Sequence, residues 1–325
     1  MKKILILTDA ISENPREDEL DTLVQVKAIE SSLKNLGYIT EILFYESIST
    51  TAKKIKSTKP YIVFNLVEDE RYISLVPLML EKIGVMFTGA GSDFFTKTND
   101  KIKTKHLFKN ISSLLISVPG YISEQDESEE IDRLSKVIIK PVSMHGSFGI
   151  DSDSVMTMTT KSAILNILKN KREQYGVEFF AEEFICGREF NVGVIGGMTL
   201  PFAEMVFKNY QSDTPNIIDY KAKWDEYSHE YHSTVRCFDF EDPNCHIKSR
   251  INSASDLLID KFNISSFVRF DYRYSTDGKV YLLEINANPC LSPDGGFFAA
   301  CKELGLSYDK MVNIIINETI NKTKF

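Results

Sequence analysis

FVRFDYRYSTDGKVYLLEIN, residues 267–286, reads as two strands joined by a tight turn. Asp277-Gly278 is a strong turn signal between two runs rich in β-branched and aromatic residues. A two-residue turn there sets Asp271 opposite Glu284 and Arg269 opposite Asn286; a four-residue loop would shift the partners by one diagonal step and keep the face. Side chains alternate along a strand, so Arg269, Asp271 and Arg273 share one face with Glu284 and Asn286. Val268, Phe270 and Tyr272, joined by Tyr281, Leu283 and Ile285, form an apolar face on the other side, which makes the hairpin half buried. Two carboxylates directly opposite one another on a sheet repel, so a cation belongs between them. An arginine on a solvated face would meet that need. So would Mg²⁺ held together with nucleotide phosphates, for which two carboxylates and an amide supply suitable hard oxygens. The packed reverse face favours a cleft-lining hairpin, with Asp271, Glu284 and Asn286 as candidate metal ligands.

Toward the N-terminus the pattern changes. KILILT (3–8) is a continuous apolar run, as in a parallel sheet covered on both faces. Leu20, Val24, Ala28, Ile29, Leu33 and Leu36 have helical spacing, and Gly37 supplies the stop. Strand-like runs at 39–44, 61–67 and 85–88 alternate with helical runs at 51–57 and 75–83. This predicts a βαβα substrate lobe with a parallel sheet over residues 1–93. No Gly-x-Gly-x-x-Gly follows the first strand, which argues against a dinucleotide site there. A helix over 99–109, a short strand at 137–140, a glycine-containing turn at 141–150 and a strand at 177–184 predict a small α+β lobe over 94–180. Strands at 189–195 and 200–207, a helix at 247–262, the hairpin and two last helices make a third lobe over 181–325. The polar stretch from Lys208 to Tyr220 is long enough to be a lid, and it is expected to run on to Ser233.

A chain of 325 residues with 43% hydrophobic content can bury a sizeable core without staples. Its net charge of −8 argues against a nucleic-acid partner. No stretch approaches the roughly 20 apolar residues of a membrane span, so no membrane partner is expected. Cys186, Cys237, Cys245, Cys290 and Cys301 are odd in number and lack paired spacing, which predicts a reducing, cytoplasmic location rather than a disulfide framework. The histidines and cysteines of 229–246 match no standard zinc spacing.

Lys140 ends an apolar strand before a turn with Gly146, Ser147 and Gly149, whose backbone amides can cradle phosphates. Glu182 and Glu189 flank a connection containing Gly187 and can accept from an adenine amino group or ribose hydroxyls. NDKIKTK (99–105), VIIKP (137–141), AEEFICGREF (181–190), DYKAKW (219–224), VRFDYR (268–273) and LLEINANPCLSPDGGF (282–297) occur in that order. Together they resemble D-alanine–D-alanine ligases of the ATP-grasp superfamily over about residues 60–320. The resemblance implies a three-lobed ATP-grasp fold, α/β and α+β, with an N-terminal parallel-sheet lobe. It implies an ADP-forming ligase that joins a carboxylate to an amine through an acyl phosphate, using ATP and two Mg²⁺ ions. Under it Lys101, Lys140 and the turn at Ser147 contact the phosphates. Glu182 meets the adenine edge, Phe184 and Ile185 line the ring, and Glu189 binds ribose. Lys223 reaches the γ-phosphate, Asp271, Glu284 and Asn286 hold the metals, and Arg269 stabilises the tetrahedral oxyanion.

The amino-acid half departs from that family. Its Gly-Gly-x-Ser-x-Glu-Arg-Glu-Val-Ser motif after the first strand is replaced by TDAISENPREDELDTLVQV (8–26), and its His-Gly-x-x-Gly-Glu-Asp-Gly motif by FNLVEDERYIS (64–74), which carries Glu68. Trp224 stands where the lid tyrosine is usual. Gly295-Gly296, preceded by Asp294, replaces the usual serine–leucine pair. Glu68, Trp224, Asp294, Gly295 and Gly296 are therefore the candidate substrate-binding residues. The changes favour amino acids or amino acid-like substrates, with an acceptor larger than alanine and a cationic or hydroxyl-bearing end near Asp294. The alternatives are that Asp294 only caps the following helix, that the chain makes D-alanyl-D-alanine itself, or that it is an ATP-binding sensor without activity. Small-molecule amino acid or amino acid-like substrates are the expected partners, and a homodimer is compatible with the sequence.

Overall fold

The computed structural model describes residues 1–322 except 16, 110, 212 and 213. β1 (Lys3–Thr8) is apolar from Ile4 to Leu7, and all four side chains are fully buried. Such a run needs cover on both faces. α1 (Glu17–Asn35), β2 (Ile39–Phe44), α2 (Ile48–Thr58), β3 (Ile62–Leu66) and α3 (Leu75–Ile83) follow, and the strands form a parallel sheet in the order β2-β1-β3. Strand parity divides the cover. Leu5, Leu7 and Val63 pack with Ile55 of α2 and Val76 and Leu80 of α3, whereas Ile4, Ile6 and Phe64 pack with Val26, Ile29 and Leu33 of α1. The inner stripe of α1 differs from the expected one. Leu20 and Val24 are 40% and 49% exposed, and Thr22, Gln25 and Ser32 are buried in their place. The reason is that Gln25 faces inward to bond polar groups described below. The expected strand at 85–88 is only an isolated bridge between Val63 and Phe87.

α4 (Ser92–Thr98) and α5 (Lys101–Phe108) come next, with Asp100 capping α5 by accepting from the Lys103 N–H at 2.9 Å. β4 (Ile116–Ser117) leads into β5 (Tyr121–Ser123), β6 (Lys136–Pro141), β7 (Val155–Thr157), α6 (Lys161–Tyr175) and β8 (Phe179–Glu183). The last four strands form an antiparallel sheet, β5-β8-β6-β7, with its own core of Ile122, Val137, Ile139, Phe179 and Ala181 against Ile164 and Leu168 of α6. The third sheet contains β9 (Gly187–Ile195), β10 (Met198–Thr199), β11 (Ala203–Phe207), β12 (Thr234–Cys237), β13 (Phe267–Ser275) and β14 (Val280–Asn286). Its order is β12-β11-β9-β13-β14-β4, with β10 on β9. Between β11 and β12 lie two short helices, α7 (Tyr220–Trp224) and α8 (His229–Ser233). α9 (His246–Phe262) covers one face of this sheet. α10 (Gly296–Glu303) and α11 (Tyr308–Lys322) lie between it and the first sheet, so Phe297, Met311 and Ile315 share a core with Ile4 and Phe64. Two memberships cross the expected lobe limits. β4 pairs with β14 at Ile116↔Tyr281, and β8 runs past residue 180 within the second sheet. No helix among the described residues is long and apolar enough to cross a membrane.

The hairpin reaches the expected pairing by another route. Asp271 is opposite Glu284 and Arg269 opposite Asn286. The loop, however, is Thr276-Asp277-Gly278, closed by the Ser275 N–H on the Lys279 carbonyl at 2.9 Å. That one-residue excess is cancelled by a bulge on β14 at Leu283, where the register slips between Asp271 and Tyr272. A slip of one residue exchanges faces. Val280, Leu282 and Ile285 therefore fill the core, and the expectation that Tyr281 and Leu283 do so is corrected. Gly278 sits at φ 79°, where a Cβ costs about 1–2 kcal/mol. Gly278→Val should lose about that much in urea unfolding, and Gly278→Asn clearly less, because asparagine tolerates this conformation.

Candidate active site

Directly opposite residues of antiparallel strands share a face. The pairs Arg236↔Met205, Met205↔Glu189, Glu189↔Arg273, Asn191↔Asp271, Asp271↔Glu284 and Arg269↔Asn286 therefore carry one continuous polar face across five strands of the third sheet. Asp271 accepts from Arg269 Nε and Nη2, both at 2.7 Å, and from Asn191 Nδ2 at 2.9 Å. Glu284 is met by Lys101 Nζ at 3.5 Å, His145 Nδ1 at 3.7 Å and Arg269 Nη2 at 3.8 Å. Burial opposes ionisation of both acids. For Asp271 burial wins and raises its pKa, whereas Lys101, His145 and Arg269 together hold Glu284 well below the usual carboxylate range. Asn286 turns its Oδ1 to the Asn288 N–H at 3.0 Å.

The partners of Glu284 come from separate elements. Lys101 opens α5 and donates to the Met144 carbonyl at 2.7 Å. His145 lies in the turn after β6; its N–H donates to Glu70 at 3.0 Å and its Nε2 meets Asn99 Oδ1 at 2.9 Å. Gly146, Ser147 and Gly149 of that turn all have positive φ. Lys140, at the end of β6, pairs with Glu182, which also pairs with Lys105 of α5. Burial opposes the Glu182 charge, but the two lysines outweigh it and hold the carboxyl below its ordinary range. Phe184 and Ile185 follow Glu182 at the edge of the site, Ile185 buried. Glu189 pairs with Arg273 at 2.8 Å, and burial still pushes its pKa up.

The segment expected to be a lid is folded down on this face. Ser147 Oγ donates to the Ile218 carbonyl at 2.6 Å, and Trp224 Nε1 to the Gly146 carbonyl at 2.9 Å. Arg273 Nη1 donates to the Asn216 carbonyl at 3.0 Å. Lys223, on α7, is half-buried beside Arg269, Glu284 and Asp271; desolvation first, then Arg269, pulls its pKa down. The indole of Trp224 thus supplies a hydrogen bond to the turn without a hydroxyl.

A second polar group closes the site from the first sheet. Gln25 Nε2 donates to Glu68 at 2.8 Å and Gln25 Oε1 accepts from the Leu291 N–H at 2.6 Å. Asp21 accepts from Ser292 Oγ at 2.8 Å and Cys290 Sγ at 3.0 Å. Asp9 accepts from the N–H groups of Glu68 and Asp69 at 2.7 and 3.0 Å. Burial raises Asp9 to about 6 and Glu68 to about 7, the latter helped by the charges of Asp9 and Asp21.

The reading of Asp294 as a helix cap is corrected. α10 is capped by Gly295, with no side-chain bond, because the chain turns one residue later than a cap at 294 would require. Asp294 is exposed, and its carbonyl accepts from Arg236 Nη1 at 3.1 Å. Arg236, Gly296, Phe297, Gly193, Met205 and Arg269 line a small cavity. A side chain at Gly296 would reach Arg236 at 3.8 Å, and one at Gly193 would crowd Phe297 at 3.3 Å. Sequence reading missed Lys105, His145, Asn191, Arg236 and Asp21. For Lys105 and Arg236 a signal existed, since Lys105 is one helical turn beyond Lys101 and Arg236 alternates with apolar neighbours on a strand.

Three sheets, with segment 216–224 laid over a glycine-containing turn and a carboxylate-bearing hairpin, define the ATP-grasp class of carboxylate–amine ligases. The family described as D-ala D-ala ligase C-terminus matches residues 122–317, more than half of the chain. The D-alanine–D-alanine ligase of Aquifex aeolicus is 27% identical over 318 residues, covering 97% of this chain and all of the relative. The D-alanine–D-alanine ligase of Bacillus anthracis superposes with a TM-score of 0.77 at 19% identity over 100% of this chain and 99% of that one, and its complex with ATP at 0.74 and 17% over the same shares. The VanG D-Ala:D-Ser ligase of Enterococcus faecalis gives 0.73 at 16% identity over 98% and 99%. The chain belongs to the D-alanine–D-alanine ligase family, and it is an ATP-dependent carboxylate–amine ligase.

Glu68 offers a pH test. Its folded pKa of about 7 lies above its ordinary value of 4.5, so the folded state holds the extra proton between them and stability falls as pH rises through that window. Glu68→Gln should gain about 1–3 kcal/mol on the native chain between pH 5 and pH 8, measured by urea unfolding at both.

Proposed function

We propose that this chain activates the carboxylate of one small amino acid with ATP and joins it to the amine of a second, larger one. The observation that carries this reading is the convergence of Lys223, Lys101 and Arg269 from three separate elements on the Asp271–Glu284 pair. An excess of fixed cations around two hard carboxylates suits a triphosphate, which no ordinary packing need explains. Lys140 and the turn at Ser147 receive the β- and γ-phosphates, Lys223 the transferring group. Phe184 and Ile185 line the adenine, with Glu182 at its edge and Glu189 on the ribose. Asp271, Glu284 and Asn286 suit Mg²⁺ by their oxygen chemistry, with its other ligands drawn from phosphates; when bound, Mg²⁺ neutralises charge on the transferring phosphoryl group.

Each residue then has a task. Glu68 and Asp21 hold the ammonium group of the first amino acid. Its carboxylate attacks the γ-phosphate, giving an acyl phosphate and ADP. Trp224 pins the lid to the turn, excluding water that would hydrolyse the acyl phosphate. The second amine attacks the acyl carbon, Arg269 with a backbone N–H near Cys290 stabilises the oxyanion, and its collapse breaks the bond to the phosphoryl oxygen, releasing inorganic phosphate and the amine's proton and leaving the amide.

Arg236 directs the choice of acceptor. It has no carboxylate partner among the described residues, it lines the cavity beside Arg269, and Gly296 leaves its approach open. The acceptor end that fits is anionic or hydrogen-bond accepting. This replaces the cationic end expected from Asp294, whose carboxylate is exposed. A D-alanine acceptor is the second reading, favoured by the relatives, and a D-serine acceptor is known from VanG by its name.

Release of ADP and mass spectrometry of the product, over paired amino acids, test the reading. Glu284→Gln should abolish ADP release with an unchanged circular dichroism spectrum. Arg236→Ala should raise the acceptor KM about 10- to 100-fold, the worth of a charged hydrogen bond, and leave the ATP KM within about twofold. D-alanine as the best acceptor, with Arg236→Ala silent, would refute the acceptor assignment.

A further inference from the structure

Lys140 is placed to contact the nucleotide phosphates, but in this structure it is paired with Glu182. To serve a phosphate it must loosen that pair. Glu182 is only 2% exposed, so losing its cation outright would leave a buried, unpaired carboxylate, a severe cost. The second cation on Glu182 changes this balance. Lys105, one helical turn after Lys101, pairs with the other carboxylate oxygen and donates to the Val118 carbonyl. Its side chain is only 11% exposed, and Glu182 and Val118 hold it from two sides. The three groups form a Lys–Glu–Lys triad with one cation in excess.

We propose that Lys105 is a positioning residue that keeps Glu182 neutralised, so that Lys140 is free to move from Glu182 to the ATP phosphates. The inference rests on the proposed nucleotide site. It assigns α5 two jobs one turn apart: Lys101 serves the hairpin carboxylates and Lys105 serves the second sheet. With Lys105 removed, Lys140 becomes the sole counter-ion of Glu182 and is held back from the nucleotide.

The test is a pair of variants assayed for ATP-dependent ADP release. Lys105→Met should raise the KM for ATP about 10- to 100-fold, the worth of one charged hydrogen bond, while the KM values of both amino acids stay within about twofold. Adding Glu182→Gln to Lys105→Met should lower the ATP KM at least about threefold below that of the single variant, because an amide no longer traps Lys140, although the changed adenine edge keeps it above the native value. A purely structural lysine would give the opposite, since the double variant would be worse than the single one. If Lys105→Met does not fold, Lys105→Arg serves: retention of the charge should keep the ATP KM near native. An unchanged ATP KM in Lys105→Met, no recovery in the double variant, or an ATP KM raised tenfold in Lys105→Arg would overturn the inference. Absence of ATP-dependent ADP release from the native chain would instead overturn the proposed function.

Discussion

Two carboxylates held opposite each other on one sheet face are the constraint around which this molecule is arranged. Strand geometry places Asp271 and Glu284 within reach of mutual repulsion, and their burial forbids water from screening it. The remedy comes from outside the hairpin. Arg269 is on the same strand, but Lys101 comes from α5 and His145 from the turn after β6, while Asn191 adds a neutral donor from β9. Removing Arg269 would take from Asp271 the guanidinium that pairs with it, leaving a buried carboxylate, which costs far more than the loss of a surface ion pair. The meeting of the lobes at this point is thus an electrostatic necessity before it is a catalytic convenience.

The packing divides the molecule into a fixed part and an independent part. The first and third sheets share one apolar core through α10 and α11. The second sheet packs on α6 with a core of its own. It meets the rest through one small apolar cluster, Ile102 of α5 on Tyr121, Val142 and Phe180, and through polar contacts: Lys101 to Met144, His145 to Glu70, Ser147 to Ile218 and Trp224 to Gly146. Hydrogen bonds of this kind can break and re-form against water at small net cost, whereas a shared apolar core cannot be parted so cheaply. The contacts that close over the hairpin are therefore of the reversible sort.

What could be read from the sequence was whatever has a local period. The buried run of β1, the half-buried hairpin and the ordered motifs from Lys101 to Gly296 all carry their information within a few residues. The inner stripe of α1 could not be read so, because Gln25 is buried for the sake of Glu68 and Leu291, both remote in sequence. Nor could the partner of Glu182, since nothing along the chain joins residue 182 to residue 105. Asp294 shows the same limit in reverse. Its charge looked meaningful beside two glycines, but the backbone turns so that the cavity is lined by Arg236 from another strand. The hairpin pairing was legible for a partly accidental reason: a loop one residue too long and a bulge of one residue cancel.

The bulge and the loop also decide how the hairpin bears a change of length. Leu283 is the residue without a partner between the pairs Tyr272↔Leu282 and Asp271↔Glu284, so its loss would bring Glu284 next after Leu282 and leave it opposite Asp271. Thr276 lies within the loop closed by Ser275 and Lys279, so its loss would shorten the loop to Asp277-Gly278 and leave every pair in place. A drift of one residue at either irregularity is thus silent at the acidic pair, and the hairpin carries its two irregularities as slack.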